Sequence, residues 1–297
     1  MAKKMANQMQ PLYDEIQTIY DQIHSTDLME LFLDPTLLYS CAYFERDEMT
    51  LEEAQIAKLD LSLGKCDLKP RHTLLEVGCG WGACSYRAAE KYGVDLIGLT
   101  LSEDQAAYCK NKMKGLPDGS GDVEIRLQGW EEFDEPVDRI ISIAAFEHFP
   151  HERHQDFFEK CYSLLPGDGQ MMVHTIVKYD LQDLEERNIE LTHENIQFAK
   201  FMWNEIFPKG DLPIPKRIVE AAEGAGFEVA KIQTLGSHYA RTLDIWAENL
   251  SANREQVIGL KSEEVYDTFM KYLTQSADHF RSGHIDLYQF TLRVPQA

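Results

Sequence analysis

Thr73-Leu-Leu-Glu-Val-Gly-Cys-Gly-Trp-Gly82 is the stretch of this 297-residue chain that decides its fold. A short apolar run carries Glu76 near its end and leads into Gly78, Gly80 and Gly82. The run suits a buried parallel strand. Glycine lets the backbone turn sharply and approach a ligand, and the helix that follows offers unpaired N–H groups. Glu76 can hold an amino or hydroxyl group. A dinucleotide site would spread its glycines as G-x-G-x-x-G, with an acid about 20 residues on. Here the spacing is G-x-G-x-G, and the acid precedes the first glycine.

Outward from this loop, strand-like runs recur at Val123–Leu127 and at 95–99, 137–143 and 170–176. Helical patterns lie between them: Ala83–Tyr92 ending at Gly93, then 103–114 ending at Gly115, then 152–165 ending before Pro166. Glycine just past a helix is the expected stop. Strands alternating with helices mean βαβ units and a parallel sheet. Runs at 227–235 and 285–292 are expected to close the sheet as an antiparallel pair. Residues 1–70 read as a largely helical cover. Residues 178–214 and 240–283 read as inserts, with helices at 242–250 and 262–280. Ligands of open α/β sheets sit beyond the C-terminal strand ends, where such inserts make lids over a substrate pocket.

Composition is that of a globular protein, 44% hydrophobic and 27% charged. The formal net charge of −21 argues against nucleic acid, which needs clustered Lys and Arg. It also argues against docking on an anionic membrane. No run is long and apolar enough to span a bilayer, and the polar first ten residues carry no secretory pattern. Six irregularly spaced cysteines without a C-x-x-C pair read as reduced thiols in a cytoplasmic protein, with no zinc site.

Several polar residues fall where a ligand would sit. The second strand runs into Gly98-Leu-Thr-Leu-Ser102, so Thr100, Ser102 and Gln105 stand where many nucleotide-binding folds have a carboxylate. Hydroxyl and amide groups make the same hydrogen bonds without charge. Trp130 in Gln128-Gly-Trp-Glu131 either covers an adenine face or anchors the core, at even odds. Glu147, His174 and Tyr239 are expected at one sheet edge. His148, His151 and His154 lack a matching carboxylate set and read as a solvated helix face. The acids of 129–135 read as a solvated loop.

The chain resembles the mycolic acid cyclopropane synthase and methyltransferase group of the cyclopropane-fatty-acid synthase family. The resemblance rests on Leu31-Phe-Leu-Asp-Pro-Thr36, Tyr39-Ser-Cys-Ala-Tyr-Phe-Glu-Arg-Asp47, Met49-Thr-Leu-Glu-Glu-Ala-Gln-Ile-Ala-Lys58, the Gly-rich loop, His174-Thr-Ile176 and Glu205-Ile-Phe-Pro208. It extends through 238–243 and 262–274. It implies one Rossmann-like, seven-stranded α/β domain over residues 1–297, a methyltransferase fold dependent on S-adenosylmethionine. Residues 1–70 would cover it, 71–177 would hold the cofactor, and the helical inserts would form the lid.

The resemblance also implies roles. Tyr39 and Ser40 would close over the methionine end of S-adenosylmethionine near Glu76, Gly78 and Gly80. Thr100, Leu101, Ser102 and Gln105 would meet the ribose and adenine, with Trp130 and Glu131 beside them. A bicarbonate would be held by Cys41 and Ile143 through the backbone and by Glu147, His174 and Tyr239 through side chains. The acceptor would be the double bond of a long unsaturated acyl chain, delivered on an acyl carrier protein. A cyclopropane or a methyl branch, with or without a hydroxyl, would result. Two departures touch the acceptor side: Gln275-Ser276 replaces the family's Gly-Cys, and 20–30 lacks its aromatic pair. A non-lipid small-molecule acceptor and a non-catalytic cofactor-binding protein are the alternatives.

Overall fold

The computed structural model describes Tyr20 and residues 24–208 and 210–296. Seven strands form one sheet in the order β3-β2-β1-β4-β5-β7-β6. They are β1 (Thr73–Val77), β2 (Asp95–Thr100), β3 (Val123–Leu127), β4 (Arg139–Ile143), β5 (Gln170–Lys178), β6 (Glu228–Thr234) and β7 (Ile285–Arg293). The first five pair with one another in parallel. β7 lies antiparallel between β5 and β6, the closing pair expected from the sequence.

Among the described residues the helices are α1 (Thr26–Met29), α2 (Leu51–Gly64), α3 (Ala83–Tyr92), α4 (Glu103–Lys112), α5 (His154–Leu164), α6 (Leu181–Glu186), α7 (His193–Phe201), α8 (Pro215–Gly224), α9 (Gly236–Ala252), α10 (Arg254–Leu260) and α11 (Glu263–Ser282). Two of the helices near the site start on a local signal. Thr50 accepts from the Glu53 N–H and Glu53 answers, a capping box that starts α2; Ser102 caps α4 through the Gln105 N–H.

Two cores sandwich the sheet. Phe157, Phe158 and Cys161 of α5 and Ile218 and Ala222 of α8 pack on one face, against Leu75, Ile140 and Met171. Leu59 and Leu63 of α2 and Ala88 of α3 cover the other, against Leu74, Leu96 and Met172. A third core joins the 28–54 segment to α9, α10 and α11, centred on the fully buried Phe32 and Trp246. It roofs the C-terminal strand ends, so an open sheet's usual ligand crevice becomes an enclosed one.

Two expectations need correcting, both in the second insert. Of the N-terminal cover, the described part holds α1 and α2 with a mostly irregular 30–50; the part before Tyr20, with 21–23, lies outside the described residues. The second insert starts at Gly236, so Tyr239 sits inside α9 and not on a strand exit. It also contains α10, whose seven residues are too few to carry a periodic signal.

Candidate active site

Two cavities meet above the strand ends. The smaller, about 130 Å³, is lined by Tyr39, Ser40, Glu76, Gly78, Gly80, Thr100, Leu101, Gln105, Trp130 and Ile143. The larger, about 900 Å³, is walled mainly by 178–214 and by α9 and α11. Tyr20, Tyr39, Ala144 and His148 line both, so they form the partition. Tyr20 Oη and His148 Nε2 are 3.0 Å apart there.

The Gly-rich loop sets the floor of the smaller cavity. Gly78 takes φ +80°, and a Cβ there would come within 2.4 Å of the Ala145 Cβ. Only glycine combines that dihedral with that closeness. Glu76 is buried in β1 and accepts from Ser85 Oγ of α3. Burial pushes its carboxyl up to about 7, although Ser85, Cys84 and Lys58 pull the other way. Lys58 is itself fully buried and donates to Ser40 Oγ at 2.8 Å. Gln55 Nε2 donates to the Leu38 and Ser40 carbonyls at 3.2 and 2.8 Å. Two α2 side chains thus fix the strap that carries Tyr39 and Ser40. Across the cavity, Thr100 Oγ1 donates to Gln105 Oε1 at 2.8 Å. Trp130 belongs to the core beside α5, and it also lines the cavity.

Ser102 and Glu131 lie outside this lining. Ser102 is committed to capping α4. Glu131 pairs with Arg153 at 2.8 Å, its side chain only 4% exposed; burial raises its carboxyl above the usual range. That also corrects the solvated-loop reading at this position, while Glu132, Asp134 and Glu135 are exposed as expected.

A second group gathers at the partition. Glu147 lies on a 3₁₀ turn after β4 and lines the larger cavity. Its Oε1 accepts from the Ile176 N–H at 2.7 Å; its Oε2 is buried with no hydrogen-bond partner. Burial pushes this carboxyl up to about 7, against the pull of the Ile176 amide. Ile143 and His174 face each other in register across β4 and β5. His174 is fully buried behind the cavity walls; burial, with Lys58 and Lys65 nearby, holds its ring well below the usual histidine range. Its Nε2 has no partner.

Tyr239 lines the larger cavity, its ring 4.7 Å from that of Phe280. Burial first, then Tyr272, Cys41, Glu147 and Tyr20, raises its hydroxyl well above the usual phenol range, which places those groups near it. Cys41 Sγ donates to the Ala42 and Leu235 carbonyls at 3.1 and 3.7 Å, and burial pushes its thiol up. Ala144, between Ile143 and Glu147, holds φ +56°, strained backbone of the kind that collects at functional sites.

Tyr20 and His148 carry no sequence signal for this position. From sequence, His148 is expected on a solvated helix face with His151 and His154, because the three lack a matching carboxylate set. The 3₁₀ turn Phe146–His148 turns it inward, and burial lowers its ring to about 4. His151 pairs with Asp211 at 2.6 Å and His154 is buried against the Phe149 carbonyl at 3.1 Å. None of the three stands on a solvated face. Among the described residues no cluster of His, Cys, Asp and Glu could hold a metal ion, and no helix is long and apolar enough to cross a membrane.

Comparison with known proteins places this geometry. The family described as mycolic acid cyclopropane synthetase matches residues 7–290. Cyclopropane mycolic acid synthase 3 of Mycobacterium tuberculosis (strain ATCC 25618 / H37Rv) is 53% identical over 288 residues, covering 97% of this chain and 99% of that protein. The structure of the cyclopropane synthase MmaA2 from Mycobacterium tuberculosis superposes with a TM-score of 0.93 at 49% identity, covering 95% of this chain and 98% of that one. The mycolic acid cyclopropane synthase CmaA1, complexed with SAH and CTAB, gives a TM-score of 0.91 at 51% identity, covering 96% and 99%.

Proposed function

The chain belongs to the mycolic acid cyclopropane synthetase family, and on that premise we propose that it is an S-adenosylmethionine-dependent C-methyltransferase acting on a double bond of a long acyl chain. One observation carries this reading: a large, mainly apolar cavity meets a glycine-floored cleft at a shared wall of Tyr20, Tyr39, Ala144 and His148. Leu184, Phe198, Met202, Phe207, Leu243 and Phe280 give the larger cavity its apolar character. Its volume of about 900 Å³ lies at the top of the range for small-ligand sites. That disfavours a compact polar acceptor and suits an alkyl chain.

The cleft residues fit the methyl donor. Glu76 would hold the amino group, the strap from Leu37 to Ser40 would close one side, and Trp130 and Gln105 would take the base and ribose; all of them line the cleft. S-adenosylmethionine supplies a methyl already activated on sulfur, so the protein needs no nucleophile. Its task is to orient the alkene, exclude water and tolerate positive charge on the acceptor carbon. Tyr20, Tyr39 and Tyr239 line this cavity, and aromatic rings there would favour a cation.

A bicarbonate fits behind the partition. Two buried polar atoms without partners, Glu147 Oε2 and His174 Nε2, match an oxygen-rich anion, since an orphaned buried group is costly. A Glu147 carboxyl with a pKa near 7 can keep its proton and donate to such an anion. Tyr239 stays a phenol and adds a second donor; the Cys41 and Ile143 backbones complete the set. Bicarbonate held there would supply the base for a proton leaving the new methyl, and a dry wall favours ring closure over capture of water. Delivery of the acyl chain on a carrier protein, and a cytoplasmic location, complete the proposal; six free, buried cysteines agree with the latter.

The test is to express the chain in a host rich in unsaturated acyl chains and feed a deuterated methyl donor. Mass spectrometry should find labelled lipid carrying one added carbon. Ring closure leaves two deuteriums from a trideuterated methyl, and a methyl branch leaves three. Unlabelled lipid from protein shown to bind the donor would refute the acceptor assignment.

A further inference from the structure

The hydrogen bonds behind His174 can be assigned one donor at a time. Lys65, at the C-cap of α2, carries only donors. Its Nζ lies 2.8 Å from Gln233 Oε1 and also meets Gln289 Oε1. Burial lowers its pKa to about 8, so it remains a cation at neutral pH. Gln289 stands directly opposite His174 across β5 and β7, and opposite Gln233 across β7 and β6. The Gln289 carbonyl is therefore committed to Lys65. Its amide nitrogen lies 3.0 Å from Ser62 Oγ and 3.0 Å from His174 Nδ1.

Ser62 removes the remaining freedom. Its hydroxyl donates to the Lys58 carbonyl at 2.7 Å, so toward Gln289 it only accepts. Rotating the Gln289 amide would set N–H₂ against an ammonium and oxygen against a lone pair, so the assignment is unique. His174 Nδ1 must then accept. In a neutral imidazole the other nitrogen carries the proton. That nitrogen, Nε2, is the buried atom without a partner.

The geometry points to Gln289, clamped by Lys65 and Ser62, as a positioning residue that fixes His174 in its Nε2–H tautomer. His174 then presents a donor, and no lone pair, to any group that reaches Nε2. It cannot act as a proton acceptor there; it can only hold an anion or another acceptor. The functional half of this inference rests on the anion reading above. The tautomer itself does not.

The experiment is ring ¹⁵N–¹H correlation spectroscopy on protein labelled at histidine, first without bicarbonate. The His174 signals are assigned by their loss in His174→Asn. Wild-type protein should show a bare Nδ1 and a protonated Nε2. In Gln289→Glu a carboxylate replaces the donor, so a proton should appear on Nδ1. Turnover should fall about 10- to 100-fold, the range for partners that orient a histidine. Should that variant not fold, Lys65→Met combined with Ser62→Ala, which removes both clamps and frees the amide to rotate, should give a mixture of tautomers. Protonated Nδ1 in the wild type, or spectra unmoved by these changes, would overturn the proposal. Bicarbonate should then shift the Nε2 resonance. If it does not while the tautomer holds, the anion reading falls and the role of Gln289 in setting the tautomer stands.

Discussion

Glu76 and Glu147 show what the fold does to single residues. Glu76 is buried and Glu147 partly so, and burial raises each carboxyl from 4.5 to about 7. For such an acid the folded state holds the proton more tightly, so it costs stability as pH rises from 4.5 to 7. Glu147→Gln removes that cost. The variant-minus-wild-type stability should therefore climb by roughly 3 kcal/mol between pH 4.5 and 8, measured by denaturant unfolding at each pH. A flat difference would show that Glu147 ionises freely. Glu76 makes a separate prediction. An amino cation placed beside it stabilises the carboxylate, so S-adenosylmethionine binding near pH 6.5 should release protons, and Glu76→Gln should abolish the release. Calorimetry in buffers of different ionisation enthalpy measures it. Both carboxylates were legible in the sequence, from their places at strand ends. Their settings were not. Ser85 and the Ile176 amide reach them across chain separations that no local pattern encodes, and the inward turn of His148 depended on one 3₁₀ step.

At the scale of elements, the strand–glycine–helix unit was readable almost to the residue: β1, α3 and β3 have the bounds expected from periodicity and glycine stops. The elements that escaped were short or roofed by others, such as α10 and the irregular strap over the cleft, where burial comes from another element and leaves no period. The loop's glycine carries a sharp prediction. Gly78→Ala meets both a left-handed φ and the Ala145 Cβ, and should lose about 1–3 kcal/mol of stability together with most affinity for S-adenosylmethionine. Adding Ala145→Gly relieves the contact but not the dihedral, so the double variant should recover only part of the loss. Thermal unfolding and titration of the four proteins measure the cycle. Full recovery would mean that the dihedral carries no strain.

For the whole molecule, alternation of strands and helices foretold a parallel sheet with an antiparallel closure. It could not foretell that β7 lies between β5 and β6, because strand order depends on long-range pairing. The consequence matters for the site: that order puts Gln289 beside His174 and brings α9 and α11 over the larger cavity. Ser276, the residue where the chain departs from its family's pattern, lines that cavity. Ser276→Phe should leave S-adenosylmethionine affinity unchanged, because Ser276 lies outside the lining of the smaller cavity. It should slow turnover of long acyl chains about tenfold, near the lower cost of overpacking. Equal loss of donor affinity and turnover would mean that the two cavities are not separate compartments.

The central claim is that Glu147 serves the chemistry at the junction of two cavities without holding the methyl donor. The most direct measurement is the turnover of Glu147→Gln at saturating S-adenosylmethionine, beside its donor affinity. Turnover should fall by about 100-fold or more, with affinity within about twofold of wild type and a protein at least as stable at pH 8. Wild-type turnover in that variant would contradict the account.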